Sequence, residues 1–424
     1  MDELPPLREA VPFGLQHVLA MFASNVTIPI IIAGTIDASA ADRAFLVQAA
    51  LLVAGLATLL QTVGVGPVGA RLPVVQGTSF GFLVIAIPLA ERYGLAAVFG
   101  GALVAGLFQI LIGLSLRRLR DLFPPLVSGV VVLAIGIGLL PTGVTLAAGG
   151  QGAEDFGAPL NLALAAFVLL VILAVHQLGR GFWSAAAVLV GLVAGYVAAV
   201  PFGKVPFSDV AVANWFAFPT PLRFGLAFPA AAVIGMCVMA IATAVETVGD
   251  LAALTKGGAG REVTDRELAG GVIADGVGTA IAPLLGAMPN TSYSQNVGLV
   301  AFTGVMSRHV VSIGAGFLLL AGLLPKVAAV VSAMPPAVLG GAAVVMFGMV
   351  AAAGVRLLAD ARLDRRDLLI VAVSIGVGQG LAAVPDAVGA LPEQLAVLLQ
   401  TGIVPAALLA ILLNAMVPPS DGHR

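Results

Sequence analysis

The chain has 424 residues, 60% of them hydrophobic and only 10% charged, with a formal net charge of −2 and a mean hydropathy of +1.08. A soluble domain is roughly half apolar and a quarter charged, so this composition excludes one and specifies an integral membrane protein. The near-neutral balance singles out no charged partner, nucleic acid is not expected, and the lone Cys237 excludes an internal disulfide or a cysteine-based metal site.

Apolar stretches of about 17–25 residues, the length that crosses the hydrocarbon core, recur almost end to end. The opening Met1-Asp2-Glu3-Leu4-Pro5-Pro6 lacks the basic start and small-residue cleavage site of a signal peptide, so the first apolar segment is expected to stay as a span. Spans are expected near 12–34, 43–63, 72–90, 95–116, 124–145, 159–179 and 184–200. A second set follows near 226–250, 265–286, 289–303, 308–325, 328–353, 367–384 and 391–416. Segments 72–90 and 289–303 are the weakest helices by pattern, because Pro, Gly, Ser, Thr, Gln and Asn interrupt them. Segment 201–225, with Pro201, Pro206, Trp215, Phe216, Phe218, Pro219 and Pro221, reads as a connector with aromatic anchors.

The two sets echo each other. Gly77-Thr78-Ser79-Phe80 is matched by Asn290-Thr291-Ser292-Tyr293, 213 positions on, and each follows a proline, Pro73 or Pro289. Phe123-Pro124-Pro125-Leu126-Val127-Ser128-Gly129 returns as Met334-Pro335-Pro336-Ala337-Val338-Leu339-Gly340 at an offset of 211. Two copies of one unit of about 212 residues are therefore expected. With seven spans per copy, an odd number, the second copy enters the membrane from the opposite side and the halves form an inverted pair. Placing both termini in the cytoplasm puts fifteen of the 20 Lys and Arg in inner loops, among them Arg120, Arg362 and Arg424. That asymmetry is the one the positive-inside rule expects.

Backbone leaves helical geometry inside lipid only where its N–H and C=O groups are paired or line a cavity. The two interrupted segments are therefore expected to face each other near the midplane, each an extended stretch followed by a half-helix. The stretches Val75–Ser79 and Thr291–Gln295 are candidates to pair as short strands. Each half-helix would aim its N-terminal N–H donors, with their partial positive charge, at the centre.

Acidic residues at membrane depth are costly unless paired, hydrated or protonated, and are functional candidates by default. Glu246 and Asp250 lie four residues apart on one helical face, and Asp275 lies within 265–286. Glu246 is the strongest, since its flanks are apolar or small. Asp250 is read either as a site member or as an interfacial cap, Asp275 either as a site member or as a packing hydrogen-bonder. His17 is read as a residue holding the first span against its neighbours; His176, His309 and His423 are assigned nothing.

At these residues the chain resembles the nucleobase-ascorbate transporter family, also called xanthine/uracil permeases. Gln295-Asn296-Val297-Gly298-Leu299-Val300-Ala301-Phe302-Thr303-Gly304 resembles that family's signature, and Gln16-His17, Gly77-Thr78-Ser79-Phe80 and Glu246-Thr247-Val248-Gly249-Asp250 also match its pattern. The likeness covers essentially the whole chain. It implies an all-α polytopic fold of fourteen spans in two inverted repeats, with short β-strands in broken spans 3 and 10. It further implies a core domain (1–116 and 226–325), a gate domain (117–225 and 326–424) and a homodimer. Substrate-binding positions carried over are Glu246 and Gln295 through their side chains, Phe80 and Ser294 through backbone, and Ser79 beside them. His17, Asp250, Asp275 and Asn296 match positions with proton-linked or supporting roles. Gln at position 295 resembles the xanthine and uric acid branch, whereas the uracil branch usually has Glu there. Gly304 departs from the Arg or Lys of many members and weakens the choice of ligand.

The expectation is a proton-coupled symporter for xanthine or uric acid in the inner membrane, with sodium an alternative ion and no cofactor. A uracil carrier, a sulfate- or bicarbonate-type anion carrier and a passive channel are the competing readings. No Walker-type string occurs, which argues against ATP-driven pumping. No Ser-His-Asp, Cys-His or metal-ligand set suggests an enzyme.

Overall fold

The computed structural model describes residues 5–119, 124–360 and 363–417. Arg120, Phe123, Arg362, His423 and Arg424, and the first four residues read for a signal peptide, lie outside the described residues.

The first half opens with two long helices, α1 (Leu7–Thr35) and α2 (Ala40–Val63). Ser39 caps α2 by accepting from the Asp42 N–H, and Gly64 ends it with φ 71°, a left-handed value that favours glycine. Strand β1 (Gln76–Thr78) and half-helix α3 (Phe80–Tyr93) follow, then α4 (Leu95–Leu119), α5 (Pro125–Ala147), α6 (Pro159–Leu178), α7 (Phe182–Ala185) and α8 (Ala187–Ala199). A short α9 (Phe207–Val212) lies in the connector. The second half comprises α10 (Ala230–Ala259), α11 (Asp265–Ile281), strand β2 (Asn290–Ser292), half-helix α12 (Ser294–Thr303) and α13 (Arg308–Gly322). It ends with α14 (Pro325–Ser332), α15 (Pro336–Asp360), α16 (Arg365–Ala383), α17 (Glu393–Gln400) and α18 (Ile403–Met416).

Among the described residues nine helices are long and apolar enough to cross a bilayer, which makes this a multi-pass membrane protein. Two further segments qualify only as bent pairs, α13 with α14 and α17 with α18, each turning by 83°. The continuous spans expected at 328–353 and 391–416 are thus corrected. Proline at N1 starts a helix and disfavours helical backbone before it, so α15 begins at Pro336 and α14 stops at Ser332. Gly402, with φ 73°, turns the chain between α17 and α18.

The first extended stretch falls inside the expected Val75–Ser79, whereas the second is shifted from Thr291–Gln295. β1 pairs antiparallel with β2 in the register Gln76↔Ser292, Gly77↔Thr291 and Thr78↔Asn290. The second strand begins one residue earlier than the motif suggested, and Ser294 and Gln295 open α12 instead of extending the strand. β1 starts at 76 and β2 at 290, α3 at 80 and α12 at 294, a difference of 214 for both.

Small residues let helices of the two halves approach closely. A methyl group at Gly129 of α5 would meet Leu358 of α15, and one at Gly340 of α15 would meet Ala147 of α5. Adding 211 to 129 and 147 gives 340 and 358, so the two contacts exchange halves. The same exchange relates Gly143 against Val344 to Gly354 against Leu133.

The connector is tied to both halves. Gln48 Nε2 donates to the Ala217 carbonyl at 2.7 Å, Arg223 pairs with Asp42 at 2.6 Å, and the Lys326 ammonium sits 4.9 Å from the centre of the Trp215 ring.

Candidate substrate site

Three residues of strand buried in an apolar chain create an accounting problem, because every outward backbone group needs a partner. The Thr58 hydroxyl of α2 accepts from the Gln76 N–H at 2.9 Å and donates to the Gln76 carbonyl at 3.3 Å. Thr279 of α11 does the same for Asn290, at 3.1 and 3.0 Å. Beyond the strands, the Ser79 N–H donates to the Pro289 carbonyl at 2.9 Å and the Tyr293 N–H to the Val75 carbonyl at 3.0 Å. Asn25 Oδ1 of α1 accepts from the Thr78 N–H at 2.8 Å, and the Tyr293 hydroxyl donates to the Thr78 carbonyl at 2.7 Å. The ribbon is thereby fixed, and the starts of α3 and α12 with it.

Asp275 of α11 is fully buried and underpins this ribbon. Its carboxylate accepts from Gln76 Nε2 and Thr247 Oγ1, and from Ser292 Oγ at 3.4 Å, joining both strands to α10. Gln76 and Thr247 are thus parts of the site that sequence reasoning missed, as are Asn25, Thr58 and Thr279. For Asn25, Thr58, Thr247 and Thr279 the signal available was an uncharged polar residue inside an apolar helix, and for Gln76 its place in the expected stretch Val75–Ser79. Asn296 of α12 donates through Nδ2 to His17 Nδ1 at 2.9 Å and to the His17 carbonyl at 3.0 Å. His17 therefore holds α12 against α1.

Glu246 of α10, Ser294 and Gln295 of α12, and Phe80 of α3 line one cavity of about 260 Å³. Val132 and Ile135 of α5 and Met346, Met349 and Val350 of α15 supply its apolar wall. Phe80 stacks edge-on against the buried Phe347, with ring centres 5.4 Å apart and an interplanar angle of 86°. Asp250 lies one helical turn beyond Glu246 on α10, with its Oδ2 buried and unpaired in the structure. Ser79 is buried just off the wall, with its hydroxyl unpaired in the structure. A carboxylate that accepts and a carboxamide that both donates and accepts thus face an apolar slot, beside two helix N-termini with free N–H groups. Pockets for drug-sized ligands usually run about 300–1,000 Å³, so this one suits a single small polar heterocycle.

A family model described as a permease family matches residues 8–387. The chain belongs to this permease family. The permease is 39% identical over 420 residues to the uric acid transporter UacT of Escherichia coli, covering 98% of this chain and 87% of that one. It is 39% identical over 408 residues to the uric acid permease PucJ of Bacillus subtilis, covering 95% and 91%. The xanthine permease XanP of Escherichia coli is 34% identical over 435 residues, covering 99% and 94%. These relatives are xanthine and uric acid permeases, and the family is one of transporters and not of enzymes. Its fold is similar to the transmembrane domain of the cyanobacterial bicarbonate transporter BicA (TM-score 0.57, 17% identity, 97% of this chain and 98% of that one). SLC26A9 is also similar (TM-score 0.63, 14% identity, 97% and 66%). At such identities the likeness is one of fold.

Proposed function

We propose that this permease is a secondary active transporter carrying xanthine or uric acid by proton symport and alternating access. The observation that carries the reading is the meeting of Glu246 and Gln295 on one cavity wall at the start of a half-helix. The carboxylate accepts from ring N–H groups, while the carboxamide faces an adjacent C=O and N–H of an oxidised purine. The Phe80 and Ser294 backbones add donors at the helix starts, and Ser79 shapes the turn behind them. His17, Asn296 and Asp275 hold the frame, and Glu246 and Asp250 are the proton-linked pair.

The exchanged contacts and the paired strands support fourteen spans in two inverted seven-span repeats, with α3, α12 and the α7–α8 segment as the short members. On that reading residues 1–116 and 226–325 form the core domain, 117–225 and 326–424 the gate domain. A homodimer in the inner membrane, with both termini cytoplasmic, follows from the resemblance and from the asymmetry of basic residues. One proton moving inward gains about 2.3 kcal/mol per 100 mV. That sustains a gradient of roughly fifty-fold at 1.4 kcal/mol per decade.

An anion carrier of the bicarbonate type is the less favoured reading despite the shared fold, since Glu246 on the wall repels an anion. The test is uptake of labelled xanthine and uric acid into proteoliposomes under an imposed proton or sodium gradient, with competition by uracil, adenine and guanine. Accumulation driven by the proton gradient and collapsed by a protonophore supports the proposal. Equilibration without accumulation under either gradient identifies a channel instead and overturns it.

A further inference from the structure

The central cavity has a larger neighbour of about 460 Å³, which reaches His176 and Ser184 at the junction of α6 and α7. Among the described residues, Gln295 and Met349 alone line both cavities. One comes from α12 and the other from α15, so the ridge between the cavities has one jaw on each of two elements that alternating access requires to move. Gln295 lies in the first turn of α12, whose frame is pinned through Asn296 to His17. Met349 has no such anchor. Its neighbour one turn back, Met346, is buried and takes a contact from Ser24 Oγ at 3.4 Å on its sulfur. Met349 is instead 42% exposed, and a methyl group added at the adjacent Gly348 would meet nothing within 4 Å. A methionine side chain has three rotatable bonds and a polarisable sulfur that packs well against flat aromatic rings.

From this geometry we infer that Met349 is a specificity-determining residue, the movable wall of the passage between the central cavity and the α6–α7 cavity. Its reach sets how bulky a heterocycle can leave the binding position. The inference rests on the proposed transport of xanthine or uric acid, and it adds a selection at exit to the recognition made by Glu246 and Gln295. Shortening the side chain opens the passage, and filling it with a rigid ring closes it. Neither change touches the polar groups that hold the base.

The experiment compares wild type, Met349→Ala and Met349→Trp in proteoliposomes, with equilibrium binding of labelled xanthine in detergent as the second readout. Met349→Ala is expected to carry xanthines alkylated at C8 at least tenfold faster than wild type does. Met349→Trp is expected to turn over at least tenfold more slowly than wild type at xanthine concentrations that equilibrium binding shows to be saturating. In a Cys237→Ser background, Met349→Cys is expected to react with a soluble maleimide and to be protected by bound xanthine. Unchanged size preference in Met349→Ala, wild-type turnover in Met349→Trp at saturating xanthine, or a cysteine at 349 that xanthine fails to protect would each overturn the inference. Failure of the underlying functional reading shows separately, as absence of xanthine and uric acid uptake by the wild-type protein.

Discussion

Thr58 and Thr279 perform the same task in opposite halves: each hydroxyl closes both the N–H and the C=O of the residue that opens its own strand, Gln76 or Asn290. A hydroxyl that gives and accepts in one place is what a strand three residues long needs, because among the described residues the sheet has two strands and no third completes it. Valine has the same shape and neither capability. Thr58→Val and Thr279→Val should each cost about 1–3 kcal/mol, the range for leaving buried polar groups unpaired. Both should lower the melting temperature in detergent and uptake together. Thr255→Val, which removes only bonds back to the Leu251 and Ala252 carbonyls within α10, should leave both nearly unchanged.

Glu246→Gln keeps the shape of the cavity wall and removes its charge. It should abolish high-affinity xanthine uptake, a loss of at least about tenfold in apparent affinity for more than 1.4 kcal/mol, with normal abundance in the membrane. Gln295→Glu takes a donor away and should shift preference among purine and pyrimidine competitors. Wild-type competition profiles in both variants would remove these side chains from the site.

Asp275 accepts three side-chain donors in a fully buried position. Removing the carboxylate leaves neutral buried donors of Gln76, Thr247 and Ser292 short of a partner, at about 1–3 kcal/mol for each group left unsatisfied. Asp275→Ala should therefore fail to give a monodisperse protein in size-exclusion chromatography. Asp275→Asn retains the volume and should be recovered folded, with weakened transport.

His17 serves Asn296 as an acceptor through both its ring and its carbonyl. A side chain that still accepts at that depth should substitute for it. His17→Gln is expected to keep at least about half of the uptake and the same pH profile, and His17→Leu to lose most of it. A changed pH profile in His17→Gln would assign His17 a proton instead.

Asp155 lies in the loop between α5 and α6, where its pairing with Lys204, aided by Asn161, holds its carboxyl below the usual carboxylate range. A depressed carboxyl stabilises the fold above its unfolded pKa, and that contribution fades as pH falls through the folded value. Asp155→Asn should therefore narrow the difference in melting temperature between pH 7 and pH 3. Because the pair is exposed, the effect should shrink at high salt.

The sequence made the helical membrane fold and the two broken segments of the candidate site legible, because apolar length and paired polar interruptions are local signals. The motif around Gln295 and the isolated charge of Glu246 pointed to the wall they share. The frame behind that wall was less visible. Thr58, Thr279 and Asn25 are ordinary in composition, and only their placement against a strand far away in the chain gives them a role. The breaks at Pro335-Pro336 and Gly402 were present in the sequence but were absorbed into apolar runs of spanning length. The echo of Gly77-Thr78-Ser79 in Asn290-Thr291-Ser292 aligns letters at an offset of 213, whereas the element starts equate Gln76 with Asn290 at 214, so letters alone miss the repeat by one residue.

The shared ribbon also sets an order of events during biosynthesis. β1 leaves the ribosome 214 residues before β2 begins, which at roughly 5–20 residues per second is on the order of 10–40 s. Throughout that wait Gln76–Thr78 has no strand to pair with, and its amides must be sheltered by Thr58, Asn25 and whatever the insertion machinery provides. The strand-to-helix turn of the first half is therefore completed only when the second half arrives.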